Sequence, residues 1–163
     1  MNDTTVINVV FAGLGGQGVL KASDILAEVA FRSGLDVKKS ELHGMSQRGG
    51  SVSSDVRFGK KVWSPMIPAG SADYLILLQE DQLEPNQHVL KPDGRIIKPS
   101  DLELEKIPNK KSINVALLGI LSRDFDFALE IWHEVLRKFL PEKVYEANLV
   151  AFAVGRGEAA VQV

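Results

Sequence analysis

Apolar residues run without a break from Val9 to Ala12 and, with Val6 and Ile7 before them, mark a buried strand over residues 6–12. The next apolar positions, Leu20, Ile25, Leu26, Val29 and Ala30, recur at helical spacing with Lys21, Asp24, Glu28 and Arg32 between them, so residues 19–31 form a helix that Gly34 ends. Residues 35–40 alternate as a short second strand. Val52, Val56 and Phe58 sit near period two over residues 51–58, and Gly59-Lys60 can turn that strand back into Lys61-Val62-Trp63 as a hairpin. Residues 72–78 are a continuous apolar run, the pattern of a strand covered on both faces, which places it centrally beside the first. Residues 80–90 read as a short helix broken by Pro85. A further strand is expected at Arg95-Ile96-Ile97-Lys98, and residues 102–107 are a candidate for one more.

Beyond Pro108 the pattern is helical only. Asn114 can cap a helix over residues 115–122, where Gly119 signals close backbone approach. A second helix over 128–140 buries Leu129, Trp132, Leu136 and Phe139, with His133 packed at the stripe's edge. A third follows Pro141, over 142–155. In it Asn148 shares a face with Val144 and Ala151, and a buried amide there is expected to tie down a loop backbone, the glycine loops being candidates. The elements predict an α/β protein: one Rossmann-like domain over residues 1–163, with a mostly parallel sheet, a β-hairpin insertion and a C-terminal group of helices.

The first strand and first helix are joined by Gly13-Leu14-Gly15-Gly16-Gln17-Gly18. Glycine serves where a chain must turn with positive φ or approach a group more closely than a Cβ allows. Between a strand and a helix N-terminus, such a turn offers free N–H groups and the positive end of the helix dipole to an anion, typically a phosphate. The competing reading is tight helix–sheet packing with no ligand. Glu41 lies at the distance past the glycines at which dinucleotide-binding folds place a ribose-binding acid, though a solvated loop glutamate fits too. A second unusual stretch follows it, Leu42-His43-Gly44-Met45-Ser46-Gln47-Arg48-Gly49-Gly50-Ser51. An arginine before two glycines resembles an anion-binding nest, with Gln47 and Ser51 as further polar tips. A glycine turn before a hairpin is the structural alternative.

Composition narrows the chemistry. With 163 residues, 45% of them hydrophobic and 25% charged, the chain suits one ordinary globular domain. Nineteen basic against 21 acidic residues give a net charge of −2, no field for nucleic acid or an anionic membrane. No apolar run has the length of a membrane span, and the polar start is no secretory signal, so a cytoplasmic chain is expected. With no cysteine, it can supply no thiolate to an iron–sulfur cluster, disulfide or cysteine nucleophile. Its three histidines are isolated, without metal-site spacing.

Together the first glycine motif, the run from Glu41 through Gly44-Met45-Ser46-Gln47-Arg48-Gly49-Gly50-Ser51 to Val52, Asn114 with Leu118-Gly119, and Glu146-Ala147-Asn148-Leu149-Val150-Ala151-Phe152 resemble the gamma-type subunits of 2-oxoacid:ferredoxin oxidoreductases. The H-G-M-S-Q-R-G-G-S wording is most like the indolepyruvate branch of that family, where the subunit is called beta. The resemblance implies a heteromeric enzyme that decarboxylates a 2-oxoacid oxidatively, joins the acyl group to coenzyme A and passes electrons to ferredoxin. It implies that thiamine diphosphate and the iron–sulfur clusters sit in a larger partner subunit. This chain is then left to complete the assembly and to hold the phosphate-bearing part of coenzyme A, through Gly13, Gly15, Gly16, Gln17, Gly18, Glu41, Gln47, Arg48, Gly49, Gly50 and Ser51. No catalytic constellation of its own is legible: there is no G-x-S-x-G and no H-E-x-x-H.

Two other classes stay open on the residues alone. A free-standing NAD(P)- or flavin-dependent oxidoreductase is favoured by the glycine loop and Glu41, and disfavoured by the absence of a normal second βα crossover over 41–58. The other is a non-catalytic scaffold. An assembling subunit needs an exposed apolar area, expected around Met45, Val62, Trp63, Pro65 and Met66.

Overall fold

The computed structural model describes residues 4–43 and 50–158. Its strands are β1 (Val6–Leu14), β2 (Asp36–His43), β3 (Ser51–Gly59), β4 (Ala72–Leu77) and β5 (Leu90–Ile97). The helices are α1 (Val19–Arg32), the single turn α2 (Leu83–Asn86), α3 (Ile113–Ser122), α4 (Leu129–Phe139) and α5 (Glu142–Gly155). One five-stranded sheet runs in the order β2-β3-β1-β4-β5. β4 is parallel to both β1 and β5, while β3 is antiparallel to both β1 and β2. Four strands therefore point one way, and β3 alone opposes them.

The β2–β3 pair is the hairpin element of the sheet. β3 does not pair with residues 61–63: it fills the gap between β1 and β2, and the chain after Gly59 leaves the sheet. A strand buried on both edges bonds twice as many backbone groups as one hung at the rim, and β3 has β1 and β2 to bond. Val62, expected to be exposed, is instead 1% exposed, its N–H donating to Asp36 Oδ2 at 2.9 Å.

Helices α1, α3, α4 and α5 share one core with the sheet face bearing Val9, Phe11, Val56, Phe58 and Ile76. On the other face Val10, Ala12, Ala72, Leu75 and Leu77 pack with Ile67, Leu83, Val89, Leu90 and Ile96. The long continuous run over 72–78 is thus explained by cover on both faces. Between α3 and α5 the packing is backbone on backbone. A Cβ on Gly119 would lie 2.3 Å from the Phe152 carbonyl oxygen, which confirms the close approach that Gly119 signals.

Three local expectations change. β5 begins at Leu90, upstream of Arg95, and carries Pro92 at the rim of the sheet, where a missing N–H costs no ladder bond. Residues 102–107 form a single 3-10 turn, Leu104–Lys106, in place of a strand. Residues 80–90 break into single turns around Pro85, since its ring cannot continue a helix.

Candidate functional site

The C-terminal end of β1 turns through the glycines into α1. Gly16 and Gly18 have φ of +89° and +83°, the left-handed region that glycine alone enters at little cost. Their roles differ. A Cβ on Gly18 would lie 2.4 Å from Asn114 Nδ2, and one on Gly13 would meet Gln17 and Val19 at 2.9 Å, so both are packing glycines. Gly16 meets nothing within 4 Å and faces open space. The N–H groups of Gly16, Gly18 and Val19 have no hydrogen-bond partner among the described residues, and α1 has no side-chain cap. This is a positively polarised helix start with unanswered donors.

Gln17 is structural. Its Oε1 accepts from Leu14 N–H at 2.8 Å and its Nε2 donates to Gln79 Oε1 at 2.6 Å, tying the turn to the end of β4. Gly15 N–H donates to the Gly50 carbonyl at 2.9 Å, and Ser51 pairs with Leu14 across the ladder. The two glycine stretches therefore meet at one end of the sheet, as their positions after strand C-termini imply. Gln47, Arg48 and Gly49 lie outside the described residues.

Glu41 lies in β2, opposite Ser54 of β3, which in turn faces Phe11 of β1. With β3 interposed, Glu41 is two strands from β1, about twice the distance at which a neighbouring strand would put a ribose-binding acid. It pairs with Lys39 at 3.1 Å.

Open clefts flank the glycine turn. One, of about 200 Å³, is lined by Gly16, Gln17, Leu78, Lys110, Lys111, Ile113 and Asn114. The other, about 440 Å³, runs past Gly15, Gly18, Lys21 and Val52. Lys110 and Lys111 were invisible as site residues in the sequence because they sit far along the chain in an ordinary polar connection, and only the fold carries the start of α3 to the loop. The amide expected from Asn148 comes instead from Asn114: Asn148 Nδ2 donates within its own helix to Val144 O at 2.9 Å, while Asn114 Nδ2 donates to Gly18 O at 3.3 Å. Asn114 does not cap α3 either. It is the second residue of the helix, after Ser112 at the cap position.

A larger polar cleft, about 470 Å³, lies at Arg95, Asp101, Glu103, Lys106 and Arg123. Its charges largely answer one another: Arg95 binds Asp124 at 2.5 Å and Lys106 binds Glu103. Burial, aided by the Asp124 carboxylate, pushes the nearby Tyr74 hydroxyl up to about 12. The glycine-loop clefts, with unanswered N–H groups and lysines, are the better anion site. No group of three or more histidine, aspartate or glutamate side chains among the described residues could hold a metal, and no helix there is long and apolar enough to cross a membrane.

Similarity to known proteins agrees with this fold. The chain is 32% identical to the indolepyruvate oxidoreductase subunit IorB of Archaeoglobus fulgidus, over 94% of this chain and 95% of that one. It is 33% identical to IorB of Thermococcus kodakarensis, over 91% and 93%. Among solved structures, the gamma subunit of a keto/oxoacid ferredoxin oxidoreductase from Geobacter sulfurreducens superposes with a TM-score of 0.78 at 22% identity, over 95% of this chain and 97% of that one. The 2-oxoglutarate:ferredoxin oxidoreductase of Magnetococcus marinus, solved with 2-oxoglutarate, coenzyme A and succinyl-CoA, superposes with a TM-score of 0.80 at 22% identity, over 98% of this chain but 32% of that longer one. The model of the pyruvate ferredoxin/flavodoxin oxidoreductase family matches residues 8–111, and the chain belongs to that family.

Proposed function

We propose that the chain is the small subunit of a 2-oxoacid:ferredoxin oxidoreductase of the indolepyruvate or pyruvate type, and that its glycine-loop end binds the phosphate-bearing part of coenzyme A. The observation carrying the ligand reading is the convergence at one sheet end of the unpartnered N–H groups of Gly16, Gly18 and Val19, the lysines Lys110 and Lys111, and the strand end at Gly50-Ser51 that Arg48 precedes. Backbone donors at a helix start, with lysines beside them, suit a phosphate.

Iron–sulfur clusters do not fit this chain, which has no cysteine, so electron transfer to ferredoxin belongs to a larger partner subunit, as does thiamine diphosphate. Coenzyme A, when bound, supplies the thiol that takes the acyl group. The chain's own contribution is positional: N–H groups and lysines hold the phosphates, Gln17 and Asn114 keep the loop shaped, and the docked chain excludes water from its side of the partner. The surroundings in which it does this are cytoplasmic.

The test is reconstitution. The purified chain alone should neither consume 2-oxoacid nor reduce ferredoxin, and the larger subunit should restore both. In the assembled enzyme Arg48→Ala should raise the KM for coenzyme A on the order of tenfold to a hundredfold, the loss of a charge-assisted phosphate contact. Dissociation of the complex with coenzyme A kinetics unaltered in what remains assembled would make that loop an interface element and remove the ligand assignment.

A further inference from the structure

The sheet face turned away from the long helices is covered unevenly. Over β1, β4 and β5 it is closed by Ile67, Leu83 and Val89. Over β2 and β3 the register sets Ser40 opposite Asp55 and Leu42 opposite Ser53, and Leu42 is 65% exposed. Asp55 faces Val10 of β1 on its other side, so a carboxylate stands mid-strand, one strand in from the edge, between Ser40 and Val10.

The Asp55 carboxylate has no hydrogen-bond donor among the described residues. Arg57, two residues along on the same face, is committed elsewhere: its Nε donates to Asn8 Oδ1 at 2.8 Å and its Nη1 to the carbonyls of Ser64 and Met66 at 2.7 and 2.9 Å. Those bonds hold residues 64–66 over the same face. Met66, whose carbonyl Arg57 holds, is 62% exposed, and Trp63, next to Ser64, is 85% exposed. Partial burial without a donor pushes the Asp55 carboxyl up to about 6 against the attraction of Arg57. A half-buried carboxylate without a donor is an incomplete arrangement, which a donor arriving from outside would complete.

We propose that the β2–β3 face, with Asp55 at its centre and Leu42, Trp63 and Met66 around it, docks on the larger subunit, which presents there an apolar patch carrying one basic side chain to Asp55. The proposal rests on the subunit reading above. Charge complementarity selects this occupant over a second copy of the chain: in a twofold contact the centre of the face meets itself, and two undonated carboxylates would converge. The aromatic and thioether side chains are the residue types enriched at the buried centre of protein interfaces.

The experiment measures binding of the purified chain to its purified larger subunit. Leu42→Asp and Asp55→Lys should each raise Kd about tenfold or more while the melting midpoint of the isolated chain stays within a few degrees of wild type. Trp63→Ala carries the same expectation should Leu42→Asp not fold. Phe31→Asp, at a side chain 67% exposed on α1, should leave Kd unchanged. Wild-type binding in both face variants overturns the face and leaves the subunit reading standing. A wild-type chain that binds no larger subunit overturns both. An isolated chain that is dimeric, and is made monomeric by Leu42→Asp, assigns the face to a second copy and overturns the proposal.

Discussion

Asn114 Nδ2 donates to the carbonyl of Gly18 at 3.3 Å, joining the start of α3 to the N-cap of α1 across 96 residues of sequence. The bond leaves no room at Gly18, where a Cβ would lie 2.4 Å from that nitrogen and φ is +83°. Gly18→Ala should therefore cost about 2 kcal/mol or more, from left-handed strain and the displaced amide together. Asn114→Ala should cost less, about 1 kcal/mol, the usual worth of one such bond. Thermal melts of both variants check the order, and equal losses would mean that the amide, and not the backbone conformation, holds the turn.

The α3–α5 contact is the least forgiving in the core. A Cβ on Gly155 would sit 1.9 Å from the Ala116 carbonyl oxygen, which is backbone and cannot swing away. Gly155→Ala should destabilise by about 3 kcal/mol or more by forcing the helices apart, although alanine is the better helix former. Denaturant unfolding measures this. A neutral or stabilising result would mean the helices can separate freely.

Asp55 gives a pH dependence of stability. Its carboxyl is raised from 3.8 to about 6 in the folded chain, so between those values the folded state binds more proton than the unfolded. Stability from this group is then greatest below about pH 4, falls as pH rises through the window, and levels off above 6. Asp55→Asn should stabilise the isolated chain at pH 7 by about 1 kcal/mol, a figure kept below the full shift because the carboxylate still touches solvent. It should flatten the slope between pH 4 and 6 in urea titrations. A steeper slope in the variant would reverse the sign assigned here.

Lys110 and Lys111 line the cleft beside Gly16. Replacing both by glutamate should raise the KM for coenzyme A in the assembled enzyme on the order of tenfold or more, with kcat at saturating coenzyme A little changed, since uniform binding is what is lost. An unaltered KM with a fall in kcat would place the lysines in some other role.

Much of this architecture can be read from residue order, and the failures share a cause. β1 and β4 follow from unbroken apolar runs, α1 and the C-terminal helices from helical spacing and their caps and breakers, and both glycine stretches from strand ends. The period of two over residues 51–58 identifies a strand but is silent on its partner. Gly59-Lys60 offers a plausible turn, yet the antiparallel register with β1 and β2 wins because it buries Val56 and Phe58 against the helices. Val62 looks like a surface residue until Asp36 is seen to hold its N–H. At the site, Gly16 is legible, while Lys110, Lys111 and the choice of Asn114 over Asn148 depend on a contact between distant segments. No local pattern encodes such a contact.

The place of β3 also sets the order in which the chain can fold. β1 precedes both its neighbours in the chain, with Val9 pairing to Val56 on one side and Tyr74 on the other. Until residue 59 or so has left the ribosome, β1 has no strand to pair with, and β2 cannot take its place before β3 is seated. The nascent chain therefore carries β1 unpaired until β3 follows it, and short of its second neighbour until residue 74 or so. Closure of these long loops should make refolding slow for a chain this size.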